Sequence, residues 1–551
     1  MTSSRSIVII GGVAAGMSAA TRLRRLDESA RITVIERGEA VSLATCGMPY
    51  AISGIISSRD DLLLQTPERL QERFGLDVRI RTEAVRIDRE RQVVVLRTAS
   101  GTEELAYDDL VLATGAVPRA LEVPGAERAI PLRGLDELDR ILDAADGAQT
   151  AVVVGGGFIG MEVAENLHAR GIRTAIVHRG VQLVPALDPE MASPVTDAVR
   201  AAGVDVRLGD TVARVELSSV VLASGDELPA DLVISAIGVR PASDLARDAG
   251  LGIGAHGGVL VDEELRTNDP AIRAVGDVAE KAHAILGGTR SVPLAGPANH
   301  HGRLVADALA GREISVAPVL GTAIMGAFGV VIAVVGATET ELRGAGIPHR
   351  VIHTHPMNHV GYYPGAEMMA LKLLVGVADD RILGAQAVGG AGVDRRIDVI
   401  ATAMRAGITA SGLAGLELAY APQFGSAKDP VNMLGYVAEN RRDGEGTIQW
   451  HELDDALAAG ARLIDVRGAA QLDEGTIPGA EWIPVEQLRS RIDELREGPV
   501  VVHCRVGQGA HTAMKLLEAH GVDAVNLDGG YLTWRAAQRV GLTTFEKETT
   551  R

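Results

Sequence analysis

Apolar residues in this chain fall into short runs, and most runs close on glycine. SIVII (6–10) leads through GGVAAG into MSAATRLRRL, where small and apolar positions recur at helical spacing, and ITVI follows at 32–35. The same order of strand, glycine turn, helix and strand returns at 150–177, as TAVVV, GGGFIG, MEVAENLHARG and RTAIV. Apolar runs of strand length alternating with helices predict an α/β fold with sheets buried on both faces. VAPVLGTAIMGAFGVVIAVVGAT (316–338) carries no charge and is long enough to span a bilayer. Gly321, Gly326, Gly329 and Gly336 punctuate it and VVIAVV is β-rich, so two buried strands joined by a turn are expected instead.

Each glycine turn carries chemistry. A turn that brings backbone N–H groups to a helix N-terminus holds a pyrophosphate, and an acid at the tip of the second strand binds ribose hydroxyls. In the first copy these residues are Gly11, Gly12 and Gly16, with Val13 at the usual middle glycine, and Glu36 with Arg37 at the strand tip. The second copy has the full set, Gly155, Gly157 and Gly160, but ends on His178 and Arg179. Cations there suit a 2′-phosphate, which favours NADPH over NADH, with a merely solvated pair as the alternative. DDLVLATGAVPR (108–119) brings a strand to Thr114-Gly115, and TNDPAIRAVGDVAE (267–280) brings one to Gly276-Asp277.

The order of first fingerprint, ATG, second fingerprint and GD resembles the FAD- and NAD(P)-dependent pyridine nucleotide-disulfide oxidoreductases over about residues 5–440. The resemblance implies FAD on the first unit, NADPH or NADH on the second, and Asp277 on the flavin's ribityl chain. Dithiol members space two cysteines as C-x4-C. Here Cys46 has Val41 and Ala51 at those distances, and Cys504, the other cysteine of the chain, lies far along it. A lone thiolate cycles through a mixed disulfide, a persulfide or a sulfenic acid; an inert buried thiol is the alternative.

SLATCGMPYAISG is similar to the signature of coenzyme A-disulfide reductases, with Leu43 for the usual Phe, and GGVAAG has Ala14 where peroxide-reducing relatives place a histidine. By that resemblance Ser18, Arg22 and Arg25 on the first helix bind coenzyme A phosphates, with Ser42, Thr45 and Lys428 as further substrate contacts. Arg22 and Arg25 are three apart on one helix face, as a phosphate clamp requires and as an ordinary solvated face also allows. HPMNHVGYYPGA (355–366) and LAYAPQFGSAKDPVNMLGYVAEN (418–440) resemble the family's dimerisation domain. The resemblance implies a homodimer whose active sites are completed across the interface by Tyr362 and Tyr420, acting as proton or hydrogen-bond donors. PANHHGR departs from the family motif at His300 and His301.

The charged stretch 439–446 reads as a linker. Beyond it RLIDVRG, GTIPGAEWIP, PVVVHCRVGQGA and NLDGGYLTW resemble a rhodanese domain. Strand VVVH delivers Cys504 to a glycine-containing loop ahead of a helix, where backbone N–H groups stabilise a thiolate or persulfide. The expected domains are 1–149 and 266–318 for FAD, 150–265 for NAD(P)H, 319–443 for dimerisation and 447–541 for rhodanese.

Length and charge fit this organisation. At 551 residues the chain exceeds one hydrophobic core, and a formal charge of -18 argues against nucleic acid. Two cysteines form no disulfide framework and the N-terminus shows no finished export signal, so a cytoplasmic protein with a small-molecule thiol or persulfide substrate, and no metal or membrane partner, is expected. The combined order looks like fusions of coenzyme A-disulfide reductase with rhodanese that reduce persulfides or polysulfides. An NAD(P)H oxidase or peroxidase and a non-catalytic sulfide sensor are the other classes.

Overall fold

The apolar run Ser6–Ile10 forms the middle strand of a five-stranded parallel sheet, ordered Ile272–Ala274, Asp109–Leu112, Ser6–Ile10, Arg31–Ile35 and Asp77–Arg79. The structure is a computed structural model and describes residues 5–540. Alternate side chains of these strands enter different cores. Ile7, Ile9, Val34 and Val111 pack with Ala19 and Leu23 of the helix Ala14–Leu26 and with Val305 and Leu309 of the helix Ala295–Leu309. Val8, Ile10, Leu110 and Leu112 meet Ile87 and Leu96 of a small antiparallel sheet instead. Burial on both faces is why the strands read as unbroken apolar runs.

The second fingerprint builds another parallel sheet, with Thr150–Val154 between Arg173–His178 and Leu232–Ser235, and Ala129–Pro131 beyond. Both fingerprints lie in one compact unit, made of the chain up to Arg179 together with Asp210–Gly321. The other unit comprises Gly180–Gly209 and the chain from Thr322 onward.

In that second unit the uncharged stretch 316–338 supplies the antiparallel strands Ala323–Ala327 and Val330–Gly336. They are joined at Phe328-Gly329, whose φ angles of 53° and 75° are the left-handed pair a two-residue hairpin turn needs. No helix among the described residues is long and apolar enough to cross a membrane. The sheet continues through Ile382–Gly389 and Ala370–Gly376 to His349–Thr354. Lys372 is fully buried beneath it, where its Nζ lies 2.5 Å from Glu190, 2.6 Å from Glu339 and 2.9 Å from Asp188.

The C-terminal strands form a parallel sheet ordered Thr447–Ile448, Ala524–Leu527, Val500–His503, Arg462–Asp465 and Glu481–Trp482. Ile464, Val500 and Val502 share a core with Ala513, Met514 and Leu517 of the helix Gln508–Ala519. The mixed α/β class expected from the chain is what the fold shows.

Candidate functional site

Sterics explain the glycines of the first turn. A Cβ on Gly11 (φ +111°) would stand 2.1 Å from the Ala113 carbonyl, and one on Gly16 would stand 1.8 Å from the Gly11 carbonyl. Only bare backbone lets the helix N-terminus approach the strands this closely. No side chain caps the helix Ala14–Leu26 at Val13, so its first N–H groups are available to an anion. The Glu36 carboxylate reaches back to accept the N–H groups of Gly12 (2.8 Å) and Gly38 (2.7 Å), while Arg37 is exposed. Thr114 Oγ1 donates to the Ala242 carbonyl (2.9 Å), and Gly115 and Gly276 adopt positive φ.

Asp277 is largely buried, and its Oδ1 has no hydrogen-bond partner among the described residues. Burial raises its pKa against the attraction of Lys281 and Arg133. Lys281 is itself buried, donating to the Gly276 carbonyl at 2.7 Å. Nearby His301 is buried, its Nδ1 without a partner among the described residues, and burial together with Lys281 pushes its pKa down to about 4, so it is neutral at physiological pH.

In the second turn a Cβ on Gly155 would meet the Ala236 carbonyl at 2.2 Å, and one on Gly160 the Gly155 carbonyl at 1.9 Å, whereas one on Gly157 would meet nothing within 4 Å among the described residues. Gly157 therefore borders open space beside an uncapped helix start. His178 turns inward and accepts the Gly156 N–H on Nδ1 at 3.2 Å. Burial, helped by Arg179, lowers its pKa, so the permanent cation at this strand tip is the exposed Arg179.

Cys46 sits in a single 3-10 turn, Thr45–Gly47, and is exposed. Ser42, at φ 52°, donates its N–H to the Gly12 carbonyl at 2.8 Å and so ties the cysteine's loop to the first glycine turn. Val41 and Ala51, at the C-x4-C distances, are buried apolar side chains. The helix Met48–Ile52 is fastened to the helix Phe158–Ala169 and its end: Tyr50 donates to Glu162 (3.1 Å), Ser53 to Asn166 (2.5 Å), and Arg170 to the Ile52 carbonyl (3.1 Å). The chain signals these contacts only through Glu162, Asn166 and Arg170, a polar stripe at i, i+4, i+8 spacing that leaves its partners unspecified. Of the expected phosphate cluster, Ser18 donates to Asn299 (2.6 Å), Arg22 pairs with Asp307 (2.8 Å), and Arg25 is exposed.

In the second unit the hydroxyls of Tyr362 and Tyr420 are 3.3 Å apart, and both rings are exposed, at 76% and 47%. Phe424 and Lys428, which follow Tyr420 in sequence, are exposed as well. Cys504 is buried at the end of Val500–His503, and the Gly507 N–H donates to its sulfur at 3.2 Å. Gly507, at φ +89°, starts the helix Gln508–Ala519. Arg505 pairs with Glu474 at 2.8 Å, so the contact to the sulfur comes from backbone.

The pyridine nucleotide-disulphide oxidoreductase model matches residues 5–302, its dimerisation domain matches 323–430, and the rhodanese-like domain matches 449–537. The chain belongs to the pyridine nucleotide-disulphide oxidoreductase family. Coenzyme A disulfide reductase of Staphylococcus haemolyticus is 33% identical over 441 residues, 79% of this chain and 100% of that protein. A reduced CoADR-RHD of Bacillus anthracis superposes with a TM-score of 0.96 at 40% identity, covering 97% of this chain and 98% of that one. An NAD-dependent persulfide reductase from A. fulgidus gives 0.90 at 36% identity, covering 96% and 100%. This family uses FAD and NAD(P)H. The residues fit both groups: the first turn presents uncapped N–H groups and a buried, unpartnered Asp277 oxygen, and the second leaves open space at Gly157.

Proposed function

We propose that this chain is a cytoplasmic NAD(P)H-dependent reductase of coenzyme A persulfide, polysulfide or coenzyme A disulfide, acting through Cys46, with Cys504 as a sulfur carrier. The observation that carries this reading is the exposed Cys46, with Val41 and Ala51 at the C-x4-C spacing on either side, in a chain that also holds a rhodanese cysteine against backbone N–H. A thiol without a neighbour takes its second sulfur from substrate. The Cys46 thiolate attacks the inner sulfur of a coenzyme A persulfide, the S–S bond breaks, HS⁻ leaves, and a Cys46 mixed disulfide with coenzyme A forms. Two electrons and one proton, the hydride of NAD(P)H, then cleave that disulfide to the Cys46 thiolate and the coenzyme A thiol, so that CoA-SSH and NAD(P)H give CoA-SH, HS⁻ and NAD(P)⁺. FAD, when bound, supplies the two-electron chemistry between nicotinamide and sulfur.

Ser18, Arg22, Arg25, Ser42, Thr45 and Lys428 are assigned to coenzyme A, Arg22 exchanging Asp307 for a phosphate. Tyr362 and Tyr420 are assigned to proton donation at the departing thiolate, reaching the sulfur across a homodimer interface; their exposure on a dimerisation domain supports this. Anaerobic turnover of Cys46→Ser and Cys504→Ser on coenzyme A persulfide and on coenzyme A disulfide tests the reading. Cys46→Ser is expected to lose both activities, and Cys504→Ser to keep disulfide reduction. Retention of wild-type turnover by Cys46→Ser on both substrates contradicts the proposal.

A further inference from the structure

His353 lies on the antiparallel sheet of the second unit and is 4% exposed. Its ring is held at both nitrogens: Nδ1 is 2.8 Å from Asp528 Oδ2 and Nε2 is 3.1 Å from Glu190 Oε1. Its backbone N–H also donates to Asp528 Oδ2, at 3.0 Å, and Arg441 donates to Asp528 Oδ1 at 2.7 Å. Lys372 is the cross-strand neighbour of His353 and shares the same Glu190 oxygen. Four buried carboxylates, Asp188, Glu190, Glu339 and Asp528, thus meet three permanent cations, Lys372, Arg343 and Arg441, together with the rings of His353 and, 4.0 Å from Glu339, His349. Burial works against a proton on His353, but the hydrogen bonds to Asp528 and Glu190 prevail and bring its pKa to about 9. The adjacent His355 is pushed down to about 3 by burial and by His353, so it stays neutral.

Asp528 leads directly into the turn that shapes the Cys504 loop. Gly529 and Gly530 both have left-handed φ, 65° and 61°. A Cβ on Gly529 would stand 2.8 Å from His353 Cβ, and one on Gly530 would stand 2.5 Å from the Cys504 carbonyl and 2.8 Å from the Gly507 nitrogen. Two residues without side chains therefore span the space between His353 and the cysteine loop. The chain then closes onto that loop, Tyr531 N–H donating to the Cys504 carbonyl (2.9 Å) and Leu532 N–H to the Arg505 carbonyl (3.0 Å).

We propose that His353 is a positioning residue for Cys504: through Asp528 and the Gly529-Gly530 turn it holds the Gly507 N–H against the cysteine sulfur. This rests on the reading of Cys504 as the sulfur carrier. The antiparallel domain then sets the geometry of sulfur transfer in addition to any dimer contact. Transfer to an acceptor breaks the S–S bond of the Cys504 persulfide and leaves a thiolate, the charge that the Gly507 N–H stabilises.

The chain has two cysteines, so a Cys46→Ser background isolates Cys504. Holoenzyme in that background is loaded with sodium tetrasulfide, desalted and mixed with cyanide; cyanide takes the outer sulfur as thiocyanate and returns the Cys504 thiolate. His353→Gln keeps a donor toward Glu190 and removes the one toward Asp528, and is expected to slow thiocyanate release at saturating cyanide about tenfold, the scale of one charge-assisted hydrogen bond. His353→Asn keeps a donor at the Nδ1 position and is expected to recover the rate to within about threefold. A His353→Gln rate within twofold of the parent, or equal losses in both variants, overturns the proposal. If Cys46→Ser protein takes up no sulfane sulfur, the carrier reading fails and this inference fails with it; loading with no effect of His353→Gln refutes the inference alone.

Discussion

The Tyr50 phenol donates to the Glu162 carboxylate at 3.1 Å, joining the helix that follows Cys46 to the helix that opens on the second glycine turn. Burial, reinforced by Glu162, raises the Tyr50 pKa to about 12, and burial likewise raises that of Glu162. Tyr50→Phe leaves a partly buried carboxylate without its donor. It is expected to cost about 1–3 kcal/mol and to lower the temperature at which flavin fluorescence reports melting, while Ser53 and Arg170 still hold the helices together.

Gly157 and Gly160 separate binding from folding in one turn. A methyl at Gly160 meets the Gly155 carbonyl at 1.9 Å, whereas one at Gly157 projects into open space. Gly157→Ala is therefore expected to fold normally and to raise KM for NAD(P)H at least tenfold, by occupying the approach of the pyrophosphate. Gly160→Ala is expected to lower thermal stability and soluble yield. Steady-state kinetics beside a melting curve for each variant checks the contrast.

Arg179 is the exposed cation at the tip of the second fingerprint, because His178 is neutral and engaged with Gly156. Arg179→Ala is expected to raise KM for NADPH about tenfold, the loss of one charge-assisted phosphate contact, with KM for NADH within twofold. Equal effects on the two nucleotides would remove Arg179 from the 2′-phosphate. His178→Gln is expected to leave the preference unchanged.

How much of this was legible in the chain depends on the range of each interaction. The glycine turns, the lone cysteine and the two-strand reading of 316–338 depend on residues close in sequence, and the structure places them as that local chemistry dictates. Resemblance assigns Arg22 and Arg25 to phosphate and helical spacing puts them on one face, but the pairing of Arg22 with Asp307, 285 positions away, is beyond what spacing carries. His178 reads as a cation from residue type, and its burial, a tertiary property, removes the charge. The Lys372 and His353 cluster gave no signal, since its members lie on separate elements at unrelated spacings and meet only once the sheet is assembled.

That cluster gives the second unit two pH limits. Burial works to raise the Glu190 pKa, but Lys372 and the hydrogen bond and charge of His353 together hold it at about 2, so its contribution is present above the ordinary carboxylate range and is lost as pH falls through about 2. His353 is raised, so its contribution is complete below the ordinary histidine value of about 6.5 and is lost as pH rises through about 9. Melting temperature is expected to rise from pH 5 to 6.5, where the buried His355 and His503, held at about 3 and about 4, take up protons only in the unfolded chain, and to decline toward pH 9 as His353 and His349, both raised by carboxylates, lose theirs; His353→Gln is expected to reduce that alkaline decline. Lys372→Met strands three buried carboxylates and is expected to cost about 3–5 kcal/mol or prevent folding.

Tyr362 and Tyr420 share a hydroxyl contact of 3.3 Å, and that hydrogen bond raises the Tyr420 pKa. Two phenols joined in this way pass one proton between them, so if they serve a departing thiolate they act as a unit and single changes overlap. Tyr362→Phe and Tyr420→Phe are each expected to lower kcat for coenzyme A disulfide about 10²-fold, the low end of what a positioned proton donor contributes. The double variant is expected to lose little more than either single one. Because both hydroxyls are exposed, neither change should alter the melting temperature. Losses that multiply in the double variant would show the phenols acting separately, and unchanged kcat in all three would leave the pair a surface contact without a part in the chemistry.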